Sequence, residues 1–247
     1  MGSFRKKNTV LLSVTFLLYF QFSYAGPPFI TDDPQPVDYK HWEYYISSVD
    51  VFRSGLWSGT SPHFEVNYGL IPNVQVHLLA PIDYNYIRHQ KVDLGYAYTE
   101  VGIKYCFIKE TDSRPQIGTF PIFEIPTIKN NEFSNGKMQT LLPIWAQKSW
   151  DKLTTYGGIG YNINPGQGNK NYLFSGWEIQ YDFNEVITLG GEIYHHTADA
   201  FDAKSVTAFN IGGSINASKK THFIFSIGHS LGNESFINSY IGLLWTI

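Results

Sequence analysis

The stretch Phe236-Ile-Asn-Ser-Tyr-Ile-Gly-Leu-Leu-Trp-Thr-Ile247 decides the fold. Ile237, Ile241, Leu243, Trp245 and Ile247 fall on one face, interrupted only by Ser239. Asn238, Tyr240, Gly242 and Thr246 fall on the other. A period of two is a β-strand with one apolar face. The chain stops on this strand without a polar tail, the ending expected where a last strand closes a membrane barrel against the first.

The opposite end reads as an export signal. Arg5, Lys6 and Lys7 precede an apolar run over residues 10–20, and Ser23 and Ala25 are the small residues a signal peptidase needs. Residues 1–25 are therefore expected to be cleaved, with the mature chain starting near Gly26. A retained anchor is the alternative, disfavoured because the run is short for a membrane span. No cysteine follows the cleavage site, which argues against lipoprotein anchoring. Of the 18 Lys+Arg and 21 Asp+Glu, 15 and 21 remain after cleavage. That acidic balance speaks against nucleic acid, and against an anionic lipid surface as main partner.

Beyond residue 25 no apolar stretch is long enough for a transmembrane helix. Aromatic content of 17% with a mean hydropathy of only −0.18 suits strands whose lipid-facing and lumen-facing residues alternate. The single cysteine, Cys106, has no internal disulfide partner and reads as a small buried residue within a strand. Residues 26–40 are rich in Pro and Asp, lack a period, and are expected to form an extended periplasmic lead-in.

Period-two segments fill residues 41–247, at 42–53, 63–69, 74–83, 96–109, 116–126, 138–150, 154–164, 172–183, 186–197, 205–216, 221–229 and 236–247. The fold class is all-β: a transmembrane antiparallel up-and-down barrel of about twelve strands. Short links at 70–73, 110–115, 151–153, 184–185 and 217–220 alternate with longer ones at 54–62, 85–95, 128–137, 165–171, 198–204 and 230–235. The short set fits periplasmic turns and the long set external loops. Mixed faces in 42–53 and 138–150 call for a bulge in each. Pro81, Pro121, Pro126 and Pro143 fall within or at the ends of strands, where each removes a ladder hydrogen bond.

Charge is expensive against lipid, so the polar face of each strand is assigned to the lumen. This places Glu65, Asn67, Gln75, His77, Glu100, Lys104, Glu124, Tyr156, Asn162, Glu178, Gln180, Glu192, Tyr194, Asn210, Asn238 and Tyr240 inside. Glu43 is a further candidate, and Lys104 and Lys148 are the cations that could oppose the carboxylates. Aromatics near strand ends (Trp42, Tyr44, Trp145, Trp150, Trp177, Tyr181 and Trp245) are assigned to interfacial girdles.

Several stretches resemble a family of bacterial outer-membrane proteins labelled for the MetA pathway of phenol degradation. They are Gly26-Pro-Pro-Phe-Ile-Thr-Asp-Asp-Pro34 with Pro36 and Val37, His41-Trp-Glu43, Asn67-Tyr-Gly-Leu-Ile-Pro-Asn73 with Gln75, and Glu100-Val-Gly-Ile-Lys-Tyr105. Pro115-Gln-Ile-Gly118, Phe120-Pro121, Glu124 with Pro126-Thr127, Gln147-Lys-Ser-Trp150, Tyr156-Gly-Gly158, Asn164-Pro-Gly166 and Gly176-Trp177 extend the match over nearly the whole mature chain. The Thr-Asp-Asp-Pro segment is the most specific, whereas the glycine and aromatic pieces are common to barrels. The resemblance implies a porin-like transporter barrel in the outer membrane of a Gram-negative bacterium. The ending formed by Gly242, Trp245 and Ile247 also resembles the signal read by the barrel-insertion machinery, with Ile in place of a terminal aromatic.

Candidate chemistry follows. A ring of carboxylates (Glu65, Glu100, Glu124, Glu178, Glu192) in a narrow channel favours cations, whereas pairing of Glu100 with Lys104 would make a filled barrel without a path. Asp32 and Asp33 offer a capped turn stiffened by Pro34, or a mouth site or plug at the lumen. Glu192 and His196 share a strand face and could bind metal with Glu178 nearby, but the set is incomplete and no metal or cofactor is expected. An embedded hydrolase would have to draw on Ser226 with His222 or His229, in no order that matches a hydrolase pattern. The expected role is thus passive passage of small solutes, with a closed structural or surface-interaction barrel as the alternative and a soluble secreted β-protein as the third. Expected partners are outer-membrane lipids and lipopolysaccharide, small solutes and the insertion machinery, and the barrel is expected to be monomeric or weakly oligomeric.

Overall fold

A computed structural model describes residues 28–96, 98–127, 133–232 and 234–247; the expected signal peptide lies outside these residues. The strand segments are β1 (Trp42–Arg53), β2 (Leu56–Ile71), β3 (Val74–Ile87), β4 (Asp93–Gly95), β5 (Tyr98–Ile108), β6 (Gln116–Thr119) and β7 (Ile122–Pro126). They continue with β8 (Gln139–Trp150), β9 (Leu153–Ile163), β10 (Tyr172–Asp182), β11 (Ile187–His196), β12 (Val206–Asn216), β13 (Thr221–Ser230) and β14 (Ile237–Thr246). The pair β4 and β5 lies end to end along β3, and β6 and β7 lie end to end between β5 and β8. The fourteen segments therefore make twelve antiparallel staves.

The terminal stretch closes the circle. β14 pairs with β1 from Glu43↔Thr246 to Phe52↔Ile237, and the backbones of Trp42 and Ile247 exchange two further hydrogen bonds at 2.8 and 2.9 Å. No edge is left at the seam, as a sheet in hydrocarbon requires. Trp42 and Ile247 mark the end read as periplasmic.

Alternation sorts the two faces. Ile103, Ile159, Trp177, Ile193, Ile211 and Ile241 are each more than half exposed, and they point outward around the wall. An apolar belt spread over so many staves would be a severe liability in water and is the expected surface in lipid. Trp42, Trp150 and Trp177 are exposed with this belt.

The structure departs from the expected strand map in the links at 54–62 and 85–95 and in β8, while the irregularity expected in 42–53 is present. The link at 54–62 is a two-residue turn, Ser54-Gly55, and β2 begins at Leu56; the polar, proline-containing start of β2 hides its period. The link at 85–95 is likewise mostly strand, since β3 runs to Ile87 and β4 continues the pairing. The irregularity expected in 42–53 lies between Ser47 and Val49, opposite a slip from Thr60 to His63 that skips Ser61 and Pro62. No bulge interrupts β8, whose register with β9 is continuous from Thr140 to Trp150. Its faces look mixed because Leu141, Pro143 and Trp145 point inward, so Trp145 belongs to the lumen and not to a girdle.

Three of the four prolines sit where the ladder is already broken or ends. Pro121 separates β6 from β7 while its carbonyl still accepts from Ile103 N–H at 3.1 Å, Pro81 adjoins the β2 irregularity, and Pro126 ends β7. Pro143 is buried on the inner face of β8.

Candidate functional site

The lumen holds a strap made of the chain's own residues 28–41. Its C-terminal end lies beside the β2–β3 turn, where Tyr39 bridges Gly69 and Lys40 N–H donates to the Gly69 carbonyl at 2.8 Å. A Cβ on Gly69 would lie 1.9 Å from the Asp38 carbonyl oxygen, so only glycine lets the strap pass. Val37 N–H then donates to Gln75 Oε1 at 2.9 Å, and Gln116 Nε2 donates to Gln35 Oε1 at 2.8 Å. Lys104 Nζ lies 3.0 Å from Asp32 Oδ1 and 3.6 Å from Asp33 Oδ1. Farther along, the N–H groups of Ile30 and Thr31 donate to the two oxygens of Glu192 at 2.8 and 2.7 Å. Ser226 Oγ donates to the Pro28 carbonyl at 2.6 Å. These partners come from β3, β5, β6, β11 and β13, so the strap crosses the lumen between opposite walls.

Proline fixes the strap's shape, and its other side chains anchor it. Pro34 and Pro36 cannot donate to a ladder, which keeps the segment out of the sheet. Ile30 packs in a buried cluster with Val51, Tyr194, Val206, Ala208 and Phe236. Asp33 N–H donates to Asp32 and Gln35 N–H donates to Asp33, so the aspartates form the capped turn, and that turn sits inside the barrel. Over the described residues the lead-in thus lies within the barrel interior, where the plug alternative would put it.

The inward polar residues form two separate groups. In the first, Asn67 Nδ2 donates to Glu65 Oε1 at 2.7 Å, His77 Nδ1 contacts Asn67 Oδ1 at 2.8 Å, and His77 Nε2 contacts Glu100 Oε1 at 2.9 Å. Glu100 therefore pairs with His77 and not with Lys104, because the strap supplies Lys104 with its own carboxylates. Glu124 stands directly across from Glu100, buried, with Oε2 lacking a hydrogen-bond partner among the described residues. In the second group Glu192 is held by the strap and by Asn210, which Asn238 contacts in turn. Glu178 lies between Glu192 on β11 and Tyr156 on β9, is 0% exposed, and has no hydrogen-bond partner on either oxygen among the described residues.

The other expected lining residues, Tyr194, Asn162 and Tyr240, are buried on the inner face, and Gln180 is half-buried there. Glu43 is inside and accepts from Tyr45. Lys148 is not in the lumen: it binds Glu110 and the Thr111 carbonyl in the link between β5 and β6. Against the strap a cavity of about 310 Å³ remains, lined by Asp33, Gln35, Asp38, Glu43, Tyr45, Glu65, Asn67, Gln75, Lys104 and Phe120 among others.

Sequence reasoning missed the apolar half of the lumen. Phe120, Ile122, Leu141 and Trp145 form one buried cluster, and Val49 and Ile224 form another with the expected Tyr240. The signal was present as apolar residues on positions whose parity matches the polar face. The remaining candidates are not assembled into a reaction centre. Ser226 is bound to the strap, His222 contacts Asn216, and His229 contacts the Ser230 carbonyl. His196 contacts the Thr197 carbonyl and His195 contacts Thr207, and among the described residues no three His, Cys, Asp or Glu gather as metal ligands.

By sequence, no protein family and no curated protein matches the chain. By structure, it is similar to an outer-membrane channel from Pseudomonas putida F1, with a TM-score of 0.67 at 12% identity over 87% of this chain and 98% of that one. The NanC porin aligns with a TM-score of 0.59 at 11% identity, over 82% and 98% of the two chains. A monoaromatic hydrocarbon channel, CymD, aligns with a TM-score of 0.50 at 7% identity, over 84% and 88%. Identities this low establish a shared fold. The fold is that of bacterial outer-membrane channels, in agreement with the porin-like resemblance read from the sequence.

Proposed function

We propose that the protein is an outer-membrane channel for passive passage of small solutes, narrowed by its own N-terminal strap and preferring cations. The observation that carries this reading is a lipid-facing belt around an interior rich in carboxylates, held apart by a segment that is not part of the sheet. A purely structural barrel has no use for buried charge, which costs several kcal/mol per group unless compensated. Carboxylates outnumber amines along the lumen, and a constriction of that sign favours cations.

The test is single-channel conductance of refolded protein in a planar bilayer under a salt gradient. Discrete steps with a cation-shifted reversal potential are expected, and Glu100→Gln with Glu124→Gln should reduce the shift. An unchanged reversal potential in that double variant would remove the cation preference from these residues. A closed barrel is the second reading, favoured by the complete burial of Thr31 and Asp32 within the lumen. Silence from correctly folded protein would support it, and the external loops would then be the place to look for binding.

A further inference from the structure

The cavity of about 310 Å³ lies between the strap and the wall, near the turn from β2 to β3. The strap contributes Asp33 and Asp38 to it, and the wall contributes Glu43, Glu65, Gln75 and Lys104. Its charge is unbalanced. Lys104 lies against Asp32 and Asp33, which leaves Asp38, Glu43 and Glu65 as carboxylates without an amine. His77, 3.5 Å from Glu65, lies closer to Glu100, at 2.9 Å. Register sets Glu43 opposite Asn67 and Tyr45 opposite Glu65, so the two glutamates are diagonal neighbours on one inward face. Two buried lining groups have bonding capacity left over. Glu65 is 5% exposed and accepts from Asn67 with Oε1, and Gln75 is 3% exposed and accepts from Val37 N–H with Oε1. Glu65 Oε2 and Gln75 Nε2 make no hydrogen bond to the described residues. Glu43 likewise uses only Oε2, which accepts from Tyr45.

We propose that this cavity binds a hydroxylated primary amine between strap and wall. The ammonium follows from Glu43 and Glu65, whose spare oxygens offer charge-assisted hydrogen bonds. The hydroxyl follows from Gln75 Nε2, a buried donor that calls for an acceptor. The volume is that of a small-molecule site and not of a bare ion, and among the described residues no three His, Cys, Asp or Glu gather as metal ligands. Tyr45, Phe120 and Val37 supply apolar faces for the carbon skeleton. The cavity is reached from solution, since Asp38 is exposed and the Asp33 side chain is 32% exposed. As the solute class of the channel the amine rests on the reading proposed above, whereas its binding is measured without a bilayer.

Isothermal titration calorimetry of the full-length protein in detergent tests this, with glucosamine and glucose as probes. The two sugars differ in one group, an ammonium in place of a hydroxyl. Glucosamine should bind at least about tenfold more tightly than glucose, the gain expected of a hydrogen bond to a charged group, and Glu43→Gln should remove that gain. Equal affinity for the two sugars, binding of neither, or an unchanged preference in Glu43→Gln would overturn the proposal. Should the variant fail to refold, wild-type crystals soaked in glucosamine decide, with sugar density against Glu43 and Glu65 supporting the site and its absence there overturning it. A silent bilayer would refute the channel and leave these outcomes standing, and binding of neither sugar would leave the conductance test standing.

Discussion

Lys104 faces inward by simple parity, between Ile103 and Tyr105 on the lipid side, and that much is legible from the alternation in β5. Its partners are not. Sequence proximity suggests Glu100, four residues away, whereas the lysine binds Asp32 and Asp33 about seventy positions earlier. Removing one member of a buried pair strands the other at a cost of about 3–5 kcal/mol. Because strap residues 28–38 belong to no strand of the sheet, Lys104→Met should release them before the barrel unfolds. A Thr31→Cys reporter in a Cys106→Ser background should then react with a charged maleimide on the order of a hundredfold faster, as about 3 kcal/mol implies. An unchanged labelling rate would mean that the pair does not hold the strap. Gly176→Ala reaches the same state from the opposite wall. The atoms nearest its Cβ belong to the side chains of Thr31 and Phe174, so the strap must yield and the sheet need not. Its expected signature is a larger single-channel conductance with an unchanged unfolding temperature.

The staves were largely legible, whereas the strap was open to the sequence only as a plug alternative without partners, for one physical reason. A strand in a barrel repeats its environment every two residues, and the residue types record that repeat. The strap is extended without a repeat, and several of its bonds use backbone N–H groups that no side chain advertises. Ile30 and Glu192, for instance, are 162 residues apart in the chain. The links at 54–62 and 85–95 failed in the same way, because polar residues at the top of β2 and β3 conceal the period although the ladder continues from Leu56↔Ile87 to Thr60↔Asp83. The strap's separateness yields a prediction for the element as a whole. Deleting residues 28–38 leaves the β1–β14 seam intact, since that pairing begins at Glu43↔Thr246. The shortened protein should therefore refold to a heat-modifiable barrel and conduct several times more current than the full chain. Equal conductance would show that the strap is not the constriction, and loss of folding would show that it is part of the core.

For the whole molecule the decisive surface is the outside. Exposed isoleucines and tryptophans would be only moderately sensitive to charge in water, where an exposed substitution is usually worth less than about half a kcal/mol. In a bilayer the same substitution depends on depth, costing about 2–4 kcal/mol for arginine at the midplane and about 0–1 kcal/mol near an interface. Ile159 is 63% exposed near the middle of β9, beside Ile144 on β8. Val186 is 48% exposed in the turn before β11, at one end of the barrel. Refolding into lipid vesicles, followed by equilibrium unfolding in guanidinium, should thus separate Ile159→Arg from Val186→Arg by at least about 1–2 kcal/mol, the first being the less stable. The separation should vanish for a soluble β-protein, because both positions would then face water. It should also be independent of Lys104 and of Gly176, whose effects act through the strap within the lumen. A barrel that tolerates arginine equally at both positions would not be spanning a membrane, and the lumen and strap would need to be read as the core of a soluble protein.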